Sequence, residues 1–181
     1  DAGTSAVNLD RRQGAVQILG TPELPVLFRS YRDDTVGGNT DPNDVGPAPS
    51  DWGGLVFRDD SDLEQEGGFL NWVSHADLRH GGGKVRVGSV EKVFAPIHLI
   101  TSRPTIAFNT VTQSADAAIS ANPDSFDDAG GRIGPDIHGN TVTGNSQANV
   151  LSGAAGADTL IGGAGDDTYV VDNAGDAVVE A

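Results

Sequence analysis

Apolar residues along this chain come in short runs, too brief for helices. Val16–Leu19, Pro25–Tyr31, Gly54–Arg58, Val85–Val90, Pro96–Ile100 and Pro104–Thr112 are rich in β-branched and aliphatic residues. Clusters of Gly, Asp, Asn and Pro separate them, the punctuation of strands and turns. No stretch shows a capped, 3.6-residue apolar period, so the pattern predicts an all-β protein. One pattern recurs. Pro104–Thr112 is "PTIAFNTVT" and Pro135–Thr143 is "PDIHGNTVT", a shared P-x-I-x-x-N-T-V-T at a distance of 31 residues. In a solenoid, equal positions on successive coils stack, which sets Asn109 beneath Asn140 and Ile106 beneath Ile137. A side-chain amide in a turn can then bond its equivalent one coil away. On this reading "SADAAISANPDSFDDAG", Ser114–Gly130, is an excess loop. A β-sandwich has the same alternation of strands and turns, but its strands seldom repeat a sequence, and the 31-residue identity favours the solenoid.

The end of the chain falls into nines. Gly144–Ser152 is "GNSQANVLS", Gly153–Ile161 "GAAGADTLI", Gly162–Val170 "GGAGDDTYV" and Val171–Val179 "VDNAGDAVV". The sixth place holds Asn149, Asp158, Asp167 and Asp176, and the eighth Leu151, Leu160, Tyr169 and Val178. This pattern resembles the hemolysin-type calcium-binding repeats of the RTX family. The resemblance implies a parallel β-roll, with calcium held by the glycine-rich turns and a short strand closing each nine. Calcium takes about six to eight oxygens from carboxylates and carbonyls. Asn149, Asp158, Asp167 and Asp176 would supply side chains, and Gly153, Gly156, Gly162, Gly163 and Gly165 the turns. Two nines make one coil, so Asn149 faces Asp167 and Asp158 faces Asp176, with one ion expected between each pair. Tyr169 is the inward anchor of its strand. From Gln147 onward there are six acidic residues and no basic one. That strip repels itself without a cation, and the roll is expected to fold on calcium.

Most of Val16–Ser146 resembles the right-handed parallel β-helix repeats of large secreted bacterial proteins, through "PVLFRSYRDDTVGG", "APSDWGGLVF", "VSHADLRHGGG" and "GPDIHGNTVTGNS". The expected architecture is a right-handed parallel β-helix over 1–146, about four coils, continued by a β-roll over 147–181. Such a helix needs capped ends, and the roll runs on from "GNTVTGNS" without a linker.

Charge and composition narrow the partners. The formal net charge is −15, with 26 acidic and 11 basic residues. Nucleic acid and anionic membranes both call for a basic surface, so neither is an expected partner. There is no cysteine, and a metal is the natural substitute for disulfide clamps. No apolar run reaches the roughly 18 residues of a membrane span. No signal peptide is visible, and the lack of methionine with the abrupt "VVEA" reads as a piece of a longer chain. The RTX resemblance implies bacterial export, often by the type I route, into millimolar calcium.

Two further clusters carry candidate chemistry. In "SHADLRH", a continuous strand would line His75, Asp77 and Arg79 on one face, with His80 beside them. Such a row could neutralise a uronate and abstract a proton; His98, Arg103, Asp136 and His138 could extend it. The 19-residue stretch Asp33–Asp51 is long for a connection, and Asp33, Asp34, Asp41, Asn43 and Asp44 could gather another calcium. Two functions follow. One is a calcium-binding structural or adhesive module that meets an extracellular glycan or cell-surface ligand. The alternative is part of a carbohydrate-active enzyme of lyase or epimerase type.

Overall fold

The computed structural model describes residues 14–39, 42, 43, 45–58, 61, 67–87, 89–93, 95–115, 117–122, 125, 135–144 and 146–180. The chain winds through short strands. The first coil holds β1 (Gln17–Leu19), β2 (Val26–Phe28) and β3 (Leu55–Arg58). The second holds β4 (Trp72–Ser74), β5 (Ala76–Arg79), a hairpin of β6 (Lys84–Val87) and β7 (Val90–Val93), and then β8 (Ile97–Ile100). The third holds β9 (Thr105–Ala107), β10 (Thr110–Thr112) and β11 (Ile119–Ala121), and the fourth β12 (Asp136–His138), β13 (Thr141–Thr143) and β14 (Val150–Ser152). The chain continues through β15 (Thr159–Ile161), β16 (Thr168–Val170) and β17 (Ala177–Val179).

Equivalent strands stack in parallel. Sheet I has the order β1-β4-β9-β12, sheet II β2-β5-β10-β13-β15-β17 and sheet III β3-β8-β11, while β14 pairs with β16. Among the described residues only the hairpin is antiparallel. This is a parallel β-helix running into a two-sided β-roll. Among the described residues there is no helix long and apolar enough to cross a membrane.

The core follows from strands of three residues. One side chain points in and its two neighbours point out, which is why "TVT" suffices as a strand. Ile18, Val73, Ile106 and Ile137 stack in register inside sheet I. Leu78, Val111, Val142 and Leu160 do so inside sheet II, and Phe57 packs over Leu99 inside sheet III. All of these are buried, each contributing about 1.5–3 kcal/mol by leaving water. The next rung of sheet II, Val178, is 45% exposed, because β17 is the edge strand.

Three sequence expectations change. Pro104–Thr112 is two strands on two sheets, not one run, because Phe108 turns the corner between β9 and β10 with φ at 58°. Val85–Val90 is not a coil strand; Lys84–Val93 forms the antiparallel hairpin, with Val87 opposite Val90. The excess loop contains β11, whose Ile119 registers with Ile97 and completes the third sheet.

Candidate metal centre

A polar residue precedes each strand of sheet II from β10 onward: Asn109, Asn140, Asp158 and Asp176. They form one column along the solenoid. Asn109 Oδ1 accepts from the Ala76 N–H at 2.9 Å, and Asn140 Oδ1 from the Asn109 N–H at 3.1 Å. Asp158 Oδ1 accepts from the Asn140 N–H at 2.8 Å, and Asp176 Oδ1 from the Asp158 N–H at 3.0 Å. A second column on the other side of the roll sets Asp167 Oδ1 on the Asn149 N–H at 2.8 Å. The expected 18-residue pairs, Asn149 with Asp167 and Asp158 with Asp176, are therefore neighbours. Parallel pairing of β14 with β16 and of β15 with β17 fixes both.

The two residue types do different work in the same place. Asn109 and Asn140 use their second atom as a donor, Nδ2 reaching the carbonyls of Val73 at 2.9 Å and Ile106 at 3.1 Å. A carboxylate has no donor to offer. Oδ2 of Asp158 and Oδ2 of Asp167 are buried and have no hydrogen-bond partner. Asp158 itself is only 3% exposed. A buried carboxylate oxygen without a partner is costly, and a cation is what that chemistry lacks.

Glycines make room for these oxygens. A β-carbon on Gly153 would stand 2.7 Å from Asp158 Oδ2, and one on Gly162 2.5 Å from Asp167 Oδ2. Gly156 and Gly165, with φ of 100° and 123°, lie directly on the coil beneath. A β-carbon there would stand 1.9 Å from the Ile137 carbonyl oxygen or 2.7 Å from the Gln147 backbone. Gly163 also has a positive φ, 90°. The residues present thus fit calcium: hard oxygen donors, a tight glycine turn and an unmet negative charge.

Electrostatics agree. Burial pushes the Asp158 carboxyl above its ordinary value; hydrogen bonds from Asn140 oppose this, and the charges of Asp176 and Asp172 add to it. Burial, then Asp176, pushes Asp172 up as well. Asp176 is better served, since its Oδ2 accepts from the N–H groups of Asp172 and Asn173, each at 3.2 Å. Near Asp167, Tyr169 bonds Glu180 through its hydroxyl, and this bond leads the causes that push the phenol up to about 12. Tyr169 is half-buried against the core. Glu180 Oε2 would lie 2.9 Å from a β-carbon on Gly162. Read from the sequence, Asn140 stands above Asn109 but not in the column of the nines; Asp172 and Glu180 are not singled out. Asn140 was legible, for in "PDIHGNTVT" it stands sixth and Val142 eighth, as in the nines.

The other candidates are placed differently. His75 is not on a strand face with Asp77 and Arg79: it occupies a left-handed corner, φ 51°, between β4 and β5. In β5, Ala76 and Leu78 point inward and Asp77 and Arg79 outward. Asp77 is bound by Arg29 at 2.8 Å and Arg79 at 3.1 Å. His80 and His98 are buried, His98 against Ser120 at 2.7 Å, so neither extends an outer row. His138 lies 3.8 Å from Asp136, and Arg103 is half-buried. In the long loop, Asp33 is buried, bonded to the Thr35 hydroxyl and 3.9 Å from Arg29. The Thr35 hydroxyl leads the interactions that hold its carboxyl below the ordinary value, against burial. Asp34 and Asn43 are exposed; Asp41 and Asp44 lie outside the described residues. Among the described residues no three His, Asp or Glu side chains converge as a metal cage, so backbone oxygens would have to complete either calcium site.

Residues 137–172 match the family model of the RTX calcium-binding nonapeptide repeat, in four copies. The match begins at Ile137, inside "PDIHGNTVT" and ahead of the first glycine-led nine. No curated protein and no solved structure matches the chain.

Proposed function

With RTX calcium-binding repeats in residues 137–172 as the premise, we propose that this is a calcium-folded module of a secreted bacterial protein. Calcium binds between coils 18 residues apart, at Asp158 with Asp176 and at Asn149 with Asp167, with Asp172 and Glu180 close by. The single observation that carries this reading is the pair of buried, partnerless carboxylate oxygens on Asp158 and Asp167. The role of calcium is structural: it neutralises the roll that continues the helix. The outer faces of the solenoid are then free to meet an extracellular glycan or cell-surface ligand, and export by the type I route suits folding after release into calcium.

Calorimetric titration with calcium, beside circular dichroism with and without chelator, tests it. The expected result is a gain of β signal on calcium and the loss of at least one site in Asp158→Ala. Identical spectra in both conditions, or an unchanged site count in the variant, would overturn it.

A further inference from the structure

Several corners of the solenoid hold a non-glycine residue in left-handed backbone, and one column of them carries exposed aromatic surface. After β4, β9 and β12 the chain turns through His75, Phe108 and Gly139, all left-handed, with φ of 51°, 58° and 67°. These corners stack: the His75 N–H bonds the Ala107 carbonyl, and the Phe108 N–H the His138 carbonyl. The Phe108 ring lies over His75 with centroids 5.3 Å apart and planes at 27°. It meets the edge of His138 at 5.0 Å and 85°. Left-handed φ is uncommon for a bulky side chain, and such outliers gather at binding sites. Phe108 contributes little to the core in return, since it is 52% exposed. The next coil also yields to it. A β-carbon on Gly139 would stand 2.7 Å from the Phe108 ring, so only glycine lets the ring lie there.

The neighbouring positions of sheet I extend the surface. Trp72, 41% exposed, registers with Thr105 and through it with Asp136; Ser74 registers with Ala107 and through it with His138. An aromatic face therefore sits among hydroxyl, imidazole and carboxylate groups. Ser74 Oγ engages His75 Nδ1 at 2.9 Å, and Nε2 remains for a ligand. Aromatic rings with polar groups at their margin suit a ligand that is apolar on its face and hydroxylated at its rim, which describes a pyranose ring. The four strands of sheet I, "QIL", "WVS", "TIA" and "DIH", contain no lysine or arginine. With Asp136 present and a net charge of −15, an acidic sugar is disfavoured on this face.

We infer that His75, Phe108 and His138, with Trp72, form a platform for a neutral glycan. This rests on the ligand-binding part of the proposed function and not on its calcium sites. The test uses the calcium-loaded chain with cellohexaose, maltohexaose and mannohexaose, and hexagalacturonate as the acidic comparator. Calorimetry and tryptophan fluorescence read binding. Phe108→Gly keeps the left-handed corner and removes only the ring. At least one neutral hexaose should bind and weaken tenfold or more in Phe108→Gly, with melting temperature unchanged or raised and calcium stoichiometry unchanged. The inference is overturned if no neutral hexaose binds, if hexagalacturonate binds more tightly, or if Phe108→Gly binds like the wild type. A wild-type dimer that Phe108→Gly dissociates would also overturn it, by making the stack a contact between copies. Calcium titrations on the same samples report separately on the metal reading.

Discussion

At the scale of the residue, the difference between an amide and a carboxylate separates coils that close by themselves from coils that need an ion. Asn140 donates through Nδ2; Asp158, in the same column, cannot. Asp158→Asn should therefore raise the stability of the calcium-free chain by about 1–3 kcal/mol while removing a calcium site. Thermal melts with and without chelator should show a smaller calcium effect than in wild type. Gly153→Ala should act oppositely, driving a β-carbon into the Asp158 carboxylate. It is expected to cost about 1–3 kcal/mol and to weaken calcium binding, both measurable in the same titration. His98 supplies a pH dependence far from the metal. Burial, then the charge of Lys92, holds it below its ordinary 6.5, against a hydrogen bond from Ser120. The unfolded chain therefore binds a proton at higher pH than the folded one. The resulting stability is present above about pH 6.5 and is lost as pH falls through the lowered folded value. Denaturant midpoints from pH 7 to 5 should fall in wild type and fall less in His98→Gln.

At the scale of the element, the strands are legible where one inward aliphatic stands between two threonines, as in β10 and β13. The turns are less so. Nothing in "TIAFNTVT" marks a corner, because Phe108 adopts left-handed backbone without a glycine. Strand β11 hides for a similar reason: a single inward Ile119 sits among Asp, Ser and Pro. The hairpin carried its own signal, Gly88-Ser89 between the short runs "KVRV" and "VEKV", which a one-strand reading passes over. The ladder linking coils was legible as the repeated asparagine of P-x-I-x-x-N-T-V-T. Asn109→Ala would leave the buried Ala76 N–H and the Val73 carbonyl without their partner. A loss of about 1–3 kcal/mol per unmet group follows, to be read from urea unfolding in saturating calcium.

At the scale of the whole molecule, sheet II runs from β2 to β17 without interruption, and the asparagine column passes into the aspartate column inside it. The 31-residue and 9-residue repeats thus share one frame, which explains why the roll follows the helix without a linker. The sequence carries this common frame in Asn140 and Val142, sixth and eighth of "PDIHGNTVT", but the change of the sixth-place residue from Asn to Asp as the coil shortens obscures it. Chelation should open the molecule in order. Amides of β14 to β17 should exchange first, β13 next through loss of the Asp158–Asn140 bond, and β5, β9 and β10 last. Hydrogen–deuterium exchange read by mass spectrometry checks this, and uniform exposure would contradict it. The stacking also has a mechanical meaning. Hydrogen bonds between coils lie along the solenoid axis, so tension on the two ends loads the coils in series and peels them from the weakest edge. Among the described coils the outermost is that of β16 and β17. Calcium between neighbouring turns would act as a rivet at the place where peeling begins, making the tensile strength of the module a function of the surrounding calcium concentration.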